Sequence, residues 1–173
     1  MKKIVFVSVM LVGLVAFAAA QPRAIGGRFG WGVEASYQHT LGNNFLEIDA
    51  GSWWFNDFHA VIVHDWIFAS PGWTSRGEWN WYAGVGGGLG FAGLGSNYIT
   101  HLYFGAAGQI GLEYTFWFPL QLSLDFRPIL GPSFALEADS EGHKNVYFYG
   151  FNDGSYDGML SLFSPTLSVR YRF

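Results

Sequence analysis

The chain contains no cysteine, so it can form neither a disulfide nor a thiolate metal site. It is also poor in charge, because Asp, Glu, Lys and Arg make up 13% of the sequence, whereas a soluble domain usually carries about a quarter. Aromatic residues make up 20% and are spread along the chain. After residue 20, no apolar run approaches the roughly 20 residues that a membrane-spanning helix needs. We therefore expect an apolar surface that faces something other than water and is not built from spanning helices.

The first 20 residues have the three parts of a secretory signal peptide. Lys2 and Lys3 give a positive start, residues 4–17 are almost entirely apolar, and Ala18–Ala20 is a small-residue cleavage site. The alternative is a transmembrane helix, but the apolar stretch is too short and no basic stop-transfer cluster follows it. We expect cleavage after Ala20, which leaves one domain over residues 21–173.

The predicted mature chain is acidic. Without Lys2 and Lys3, seven basic residues remain against 13 acidic ones, a net charge of −6. This balance argues against a nucleic-acid partner, which would need a basic patch. The one remaining lysine is Lys144, whereas the solvent-facing side of a soluble β-sandwich or lipocalin-type barrel would carry many.

Apolar residues alternate with polar or small ones over most of the chain. Such alternation indicates β-strands, because successive side chains of a strand point to opposite faces. In residues 79–91, one face carries large apolar residues and the other carries Gly84, Gly86, Gly88 and Gly90. Four alternating glycines suit the narrow interior of a small barrel, where long side chains from other strands need room. The alternating segments run for about ten residues or longer, the length of a tilted membrane-crossing strand.

The sequence predicts an all-β fold, an eight-stranded antiparallel up-and-down transmembrane β-barrel, since bacterial barrels have an even number of strands. The predicted strands are Ala24–Phe29, Gly32–Thr40, Phe45–Trp54, His59–Phe68, Trp79–Phe91, Leu102–Thr115, Leu120–Gly131 and Met159–Phe173. A rival topology keeps Ala24–Thr40 as one strand and adds Asn145–Phe151, which places the turns on opposite sides. In the favoured topology Phe116–Pro119 is a periplasmic turn, residues 69–78 are a longer one, and Gly131–Gly158 is a long acidic and aromatic extracellular loop.

The C-terminal third has the pattern of a known family. Gly111–Tyr114, a short turn, Leu120–Phe126, a long loop and a strand ending in Leu167–Phe173 together resemble the OmpA-like transmembrane β-barrel. The segment Trp81–Gly86 (WYAGVG) is similar to one in the small outer-membrane β-barrel proteins of Bacteroidetes. The resemblance implies a multi-pass barrel in the outer membrane of a Gram-negative-type bacterium, in contact with outer-membrane lipids.

The resemblance also implies how the chain is assembled. In this class a C-terminal aromatic residue with alternating apolar residues is the signal read by the barrel assembly machinery, which implies that role for Phe173, Tyr171 and Val169. Periplasmic chaperones are the other implied partners during biogenesis. OmpA proper continues into a periplasmic peptidoglycan-binding domain, whereas this sequence stops at Phe173, so we expect no wall-anchoring role.

Several charged residues are predicted to point into the barrel. They are Glu47, Asp49, Asp65, Glu113, Asp125, Arg127, Arg170 and Arg172. Eight strands leave room only for side chains, and buried charges are tolerated when they are paired. We therefore interpret these residues as a network of ion pairs that plugs the lumen, with partners available between the neighbouring strands that carry Asp125 and Arg170. The alternative is an ion pathway or gate.

The sequence predicts no catalytic, metal or cofactor site. Some eight-stranded barrels modify lipid A with a histidine, a serine and an acidic residue. None of the histidines stands in a His-x-Ser arrangement; they are His39, His59, His64, His101 and His143. His143 with Asp139 and Glu141 could be read as a metal site, but loop polarity explains them better, since a metal needs more ligands of fixed geometry. The alternating glycines do not precede a helix, as those of a phosphate loop do.

Aromatic residues near the predicted strand ends suggest interfacial belts, since indole and phenol rings prefer the lipid–water boundary. They are Trp54, Trp66, Trp79, Trp117, Tyr171 and Phe173. A carbohydrate-binding platform is the alternative. The sequence thus predicts a structural or surface-contact role in the outer membrane and identifies no surface ligand. The alternative function is a small passive pore or transporter for small or hydrophobic solutes, and a lipid-modifying enzyme comes third.

Overall fold

The computed structural model describes residues 22–30, 32–52, 57–70, 72–92, 99–138, 144–151 and 165–173. The predicted signal peptide lies outside these residues. The strands are β1 Pro22–Phe29, β2 Val33–Leu41, β3 Asn44–Ser52, β4 Asp57–Ala69, β5 Glu78–Ala92, β6 Ile99–Thr115, β7 Leu120–Phe126, β8 Ile129–Leu130, β9 Pro132–Ala138, β10 Lys144–Phe151 and β11 Pro165–Arg172. Within the described ranges there is no helix of the length and apolarity that a membrane crossing requires.

The sheet closes on itself with eight wall positions. Strands β1 to β7 pair in chain order, and β11 pairs with both β7 and β1. Because β7, β8 and β9 pair one after another with β6, they form a single interrupted wall strand. At the closure, Ile25 lies opposite Tyr171 and Gly26 lies opposite Arg170. The predicted eight-stranded antiparallel up-and-down barrel is confirmed.

The first two strands are separate, as in the favoured topology. β1 and β2 pair as an antiparallel hairpin, with Ile25 opposite Tyr37, so the rival single strand over Ala24–Thr40 is wrong. The predicted loop Gly131–Gly158 is also wrong in part, because Pro132–Ala138 and Lys144–Phe151 pair as a hairpin. Aromatic cross-strand pairs stabilise such hairpins, and the rings of Phe134 and Phe148 lie 5.6 Å apart.

The observed strands differ from the predicted ones mainly at their ends. β4, β5 and β6 are longer than predicted, and the predicted strand Leu120–Gly131 is interrupted around Arg127 and Pro128. Proline cannot donate to a sheet ladder, which explains a break at this point. Trp54 and the predicted strand residues 159–164 lie outside the described residues.

The connections 42–43, 70–77 and 116–119 lie at the same end of the barrel as Pro22 and Phe173. We call this the terminal end, and the opposite end the loop end. Gly42 has a φ of 63°, a backbone conformation that glycine adopts without steric cost. The two ends of the barrel are thus distinguished by their connections, with the described chain ends and these three turns on one side.

Side chains alternate between the interior and the outer surface. Large apolar residues point outward and are exposed, among them Ile25, Ile62, Val85, Ile110, Leu124 and Leu167. Glycines face inward where other side chains need the space, because a β-carbon at Gly88 would lie 2.9 Å from Ile129 Cδ1, and one at Gly90 would collide with the Tyr103 ring. The core of this molecule is therefore the narrow interior of the barrel.

Candidate functional site

At the terminal end the interior is closed by Arg23 and Glu113, which are buried and form an ion pair. Arg23 also donates to Gln38 Oε1 at 2.5 Å, and its guanidinium lies 4.4 Å from the centre of the Phe45 ring. Gln121 donates to Glu113 at 2.5 Å. Charge-assisted hydrogen bonds and a cation–π contact thus fill this layer and satisfy both charges.

Glu47 is the centre of the middle layer. Its carboxylate pairs with Arg28 and, at 2.9 Å, with Arg170. Gln38 donates to it at 2.6 Å and Gln109 at 3.3 Å. These partners come from β1, β2, β6 and β11, so a single carboxylate on β3 links strands from around the whole barrel.

The two arginines of the middle layer make further contacts across the interior. Arg28 reaches Asp125 at 2.5 Å, and Asp125 also accepts a hydrogen bond from the Tyr82 hydroxyl at 3.0 Å. Arg170 donates to Ser36 at 2.9 Å and to Ser123 at 2.8 Å. A planar guanidinium with five donors can serve several acceptors at once, which suits it to this position.

Towards the loop end, Arg127 and Glu34 form the third layer. Arg127 pairs with Asp49 and, at 2.6 Å, with Glu34. Glu34 also lies 3.1 Å from Arg28 Nε and 2.8 Å from His59 Nε2. Gln38 links the first layer to Glu47 of the middle layer, and Arg28 links Glu47 to Glu34 of the third, so the interior forms one connected polar network.

The structure buries most of the residues predicted to point inward. Those with low exposure are Glu47, Asp49, Asp65, Glu113, Asp125, Arg127 and Arg170. Arg172 instead lies at the rim of the terminal end, where it is 35% exposed and 4.0 Å from Glu78, because its strand ends there. Arg170 and Asp125 find their ion-pair partners across the barrel, on β3 and β1, rather than between neighbouring strands.

Sequence reasoning missed Arg23, Arg28 and Glu34, which also belong to the network. Because Ile25 and Phe29 on β1 point outward, strict alternation along this strand would have placed Arg28 on the inner face. Arg23 could not be found in this way, because a register irregularity between Pro22 and Ala24 buries both Arg23 and Ala24. Bulges of this kind break the strict alternation on which the prediction depends.

Asp65 differs from the other buried carboxylates. Its residue is fully buried, and neither carboxylate oxygen has a hydrogen-bond partner. Its Oδ1 lies against Gly84, where a β-carbon would collide with it. Among the residues that the structure describes, Asp65 is therefore the buried carboxyl group that has neither an ion pair nor a hydrogen bond.

Aromatic side chains form a belt on the outer surface at each end. At the terminal end Phe68 stacks on Trp81 with centroids 4.1 Å apart, and Trp79 lies 4.8 Å from Tyr114. The predicted residues Trp66, Trp117, Tyr171 and Phe173 are also exposed. At the loop end Phe58 lies 5.5 Å from Phe91, and Phe104 lies 6.0 Å from Phe134. Exposed aliphatic residues such as Ile62, Val85 and Ile110 lie between these belts along β4, β5 and β6.

The histidines in the described ranges do not gather into one site. His59 belongs to the interior network through Glu34, while His64 faces outward with its ring 5.0 Å from that of Trp66. Asp139, Glu141 and His143 lie outside the described residues. Among the residues that are described, no group of three or more His, Cys, Asp or Glu is suited to hold a metal ion.

No protein-family model, no curated protein and no solved structure matches the chain. The class of the protein is defined by its own geometry, as a closed eight-stranded β-barrel with an apolar exterior and an ion-paired interior.

Proposed function

We propose that the protein is an integral β-barrel of the outer membrane of a Gram-negative-type bacterium, with a structural or surface-contact role. The observation that carries this proposal is the outer surface, where exposed aliphatic side chains lie between two aromatic belts. Outer-membrane barrels have an apolar band about 25 Å tall flanked by aromatic girdles. A soluble protein rarely exposes an apolar surface that is continuous around the molecule.

The topology supports an OmpA-like barrel fold. We propose that the barrel is of the Bacteroidetes type, on the sequence of Trp81–Gly86, and that it is inserted after signal-peptide cleavage. Closure of β1 onto β11 pairs the backbone groups of the wall, which is required in a medium without water. The terminal end, which holds the described chain ends and the connections 42–43, 70–77 and 116–119, is the periplasmic end in this proposal. Outer-membrane lipids would cover the exterior, and chaperones and the barrel assembly machinery would handle the chain during biogenesis.

The interior network supports a plugged lumen rather than a pore. Two cavities of about 520 and 310 Å³ open at the terminal end, and Arg23, which lines the smaller one, is paired with Glu113 directly behind it. Beyond this pair, charged and amide side chains connect the middle layer with the third layer at the loop end. An ion would have to separate these pairs to pass.

We further propose that the protein is not an enzyme. His59 has a carboxylate partner, as a catalytic histidine often does, but it is buried and shares Glu34 with Arg127 and Arg28. This arrangement fits a member of the plug, since the carboxylate is already satisfied by two guanidinium groups.

The proposal is tested by refolding the chain into lipid vesicles and floating them on a density gradient after a urea wash. We expect the protein to float with the lipid and to change its gel mobility only after boiling, because a closed barrel resists dodecyl sulfate. A chain lacking residues 165–173 is the control, since it cannot close and should not show the mobility change. Folded protein that stays soluble without lipid or detergent would contradict the membrane location.

A further inference from the structure

The interior of the barrel contains more carboxylates than basic partners. Its described charged residues are Arg23, Arg28, Arg127 and Arg170 on one side and Glu34, Glu47, Asp49, Asp65, Glu113 and Asp125 on the other. All of these carboxylates except Asp65 form an ion pair with an arginine. The described interior therefore has two more carboxylates than arginines, and Asp65, whose two oxygens have no hydrogen-bond partner, is the carboxylate among them that lacks an ion pair.

The surroundings of Asp65 offer it no compensating positive charge of its own. It lies opposite Phe45 on β3 and opposite Gly84 on β5. The charged groups that act on it from the packed strands are Glu47 and Asp49 on β3, Asp125 on β7 and Arg28 on β1. Three of these are acidic, and Arg28 is already bonded to Glu47 and Asp125.

Tyr82 on β5, two residues from Gly84, is a further titratable group near Asp65. Its hydroxyl donates to Asp125, so it gives Asp65 no hydrogen bond in this arrangement. An ionised carboxylate that is buried without a partner is so unfavourable that such a group becomes neutral instead.

We propose that Asp65 is a proton-binding site inside the barrel, whose carboxyl group carries a proton at neutral pH. The proton takes the place of a basic partner and leaves the plug with one less uncompensated charge. A metal cation is less suited to this position, because hard cations take about six to eight oxygen ligands, and neither Phe45 nor Gly84 has a side-chain oxygen. The inference depends on the interior network and not on the membrane location proposed above.

The test compares the wild-type chain with the Asp65→Asn variant by reversible urea unfolding in detergent micelles at several pH values. If the folded state holds one proton that the unfolded state releases, wild-type stability is full at low pH and declines as the pH rises. An unfolded aspartate loses its proton near about pH 3.9. The folding constant of the wild type relative to Asp65→Asn should therefore fall about tenfold per pH unit between about pH 5 and 7.

Two further measurements make the result specific. Glu47→Gln is the matched control, since it replaces a buried carboxylate that has arginine partners, and it should be less stable than the wild type throughout this pH range. The infrared spectrum of the folded wild type at neutral pH should contain the C=O stretch of a protonated carboxyl, and Asp65→Asn should lack it. This second readout does not depend on unfolding.

The proposal is overturned if the stability ratio is flat with pH and the wild type shows no protonated carboxyl band. It is also overturned if a chelator, or exchange of sodium for choline, lowers the stability of the wild type and leaves Asp65→Asn unchanged. That result would assign the site to a metal cation instead of a proton.

Discussion

Arg170 shows what one charged residue does inside this barrel. It is buried, and its guanidinium donates to Glu47 on β3, Ser36 on β2 and Ser123 on β7. A charge removed from water in this way is stable only while all its partners are in place. The network therefore ties the closing strand β11 to three other wall strands through side chains, in addition to its backbone pairing.

Reversing this charge tests the network at the residue scale. We expect Arg170→Glu to lower the free energy of unfolding by about 3–5 kcal/mol, because it leaves Glu47 without one partner and adds a carboxylate to an acidic interior. Arg172→Glu, two residues further on the same strand, is the matched control. Its partner Glu78 is exposed and 4.0 Å away, so its loss should be within about 1 kcal/mol.

The free energy of unfolding of each variant is measured by urea unfolding in micelles, monitored by tryptophan fluorescence. Equal losses for the two variants would mean that burial does not distinguish these arginines. If Arg170→Glu kept its stability and produced a steady cation conductance, the interior would be an ion pathway and not a plug.

Much of the network follows from alternation in the sequence. The period of two placed Glu47, Asp49 and Asp65 on the inner face, where the structure has them. It could not supply the partners, because pairs such as Arg28 with Asp125 are far apart in the chain and meet only when the barrel closes. Which carboxylate remains without an arginine is a property of the closed interior and could not be predicted from one strand.

At the scale of elements, the fold depends on the pairing of β1 with β11. Here the first and last strands of the chain meet, with Ile25 opposite Tyr171 on the outer face. A slip by one residue would turn Arg170 outward, since successive side chains face opposite sides. The buried partners of Arg170 thus fix the register in which the barrel closes.

A cysteine pair can test this closure directly, because the chain has no cysteine of its own. Ile25→Cys with Tyr171→Cys should form a disulfide under mild oxidation, since directly opposite residues have Cα atoms about 4.5–5.5 Å apart. Ile25→Cys with Leu167→Cys is the control on the same face, displaced by about 13 Å along the strand. Faster migration of the boiled, non-reduced protein reports the cross-link. Cross-linking of the control pair alone, or of neither pair in folded protein, would contradict the register.

The last residue has a separate predicted role in assembly. Phe173 is exposed on the outer face with Tyr171, and their rings lie 5.3 Å apart. Deleting Phe173 should greatly reduce the heat-modifiable protein in outer-membrane fractions, while the refolding yield in detergent stays close to that of the full chain. The reason is that β11 keeps its pairing with β1 and β7, whereas the residue that the assembly machinery is expected to read is lost.

Phe29→Ala is the control for this deletion, since it removes an exposed aromatic residue that does not stand at the chain end. It should lower neither the level of heat-modifiable protein in the outer-membrane fraction nor the refolding yield in detergent strongly. Normal membrane levels of the truncated chain would refute the assembly signal. An equal fall in both assays would assign Phe173 a role in stability alone.

The hairpin of β9 and β10 marks the limit of prediction at this scale. Alternation and length identified the wall strands, and the favoured topology joined β1 to β2 correctly. The acidic and aromatic stretch from Gly131 to Gly158 was predicted as a loop because the favoured topology already had eight strands without it. Pairing of β9 with both β6 and β10 is a long-range contact that a local pattern does not show.

At the scale of the whole molecule, the sequence places different kinds of residue on the two faces of the barrel wall. Most large apolar and aromatic residues face the exterior, and most charged residues face the interior, which is the reverse of a soluble protein. Composition and period were enough to predict this inversion and the strand number. Three features could be found only from the closed structure. They are the pairing of charges inside the barrel, the bulge near Pro22 and the unsatisfied carboxyl of Asp65.

We propose that this barrel spans a membrane with its lumen closed. The most direct test is single-channel recording after fusion of protein-containing vesicles with a planar lipid bilayer. A gel of the same vesicles, unheated and boiled, establishes that folded protein is present. We expect no steady conductance above that of protein-free vesicles, because the paired layers leave no path for ions. A steady, reproducible single-channel conductance from folded wild-type protein would contradict the claim.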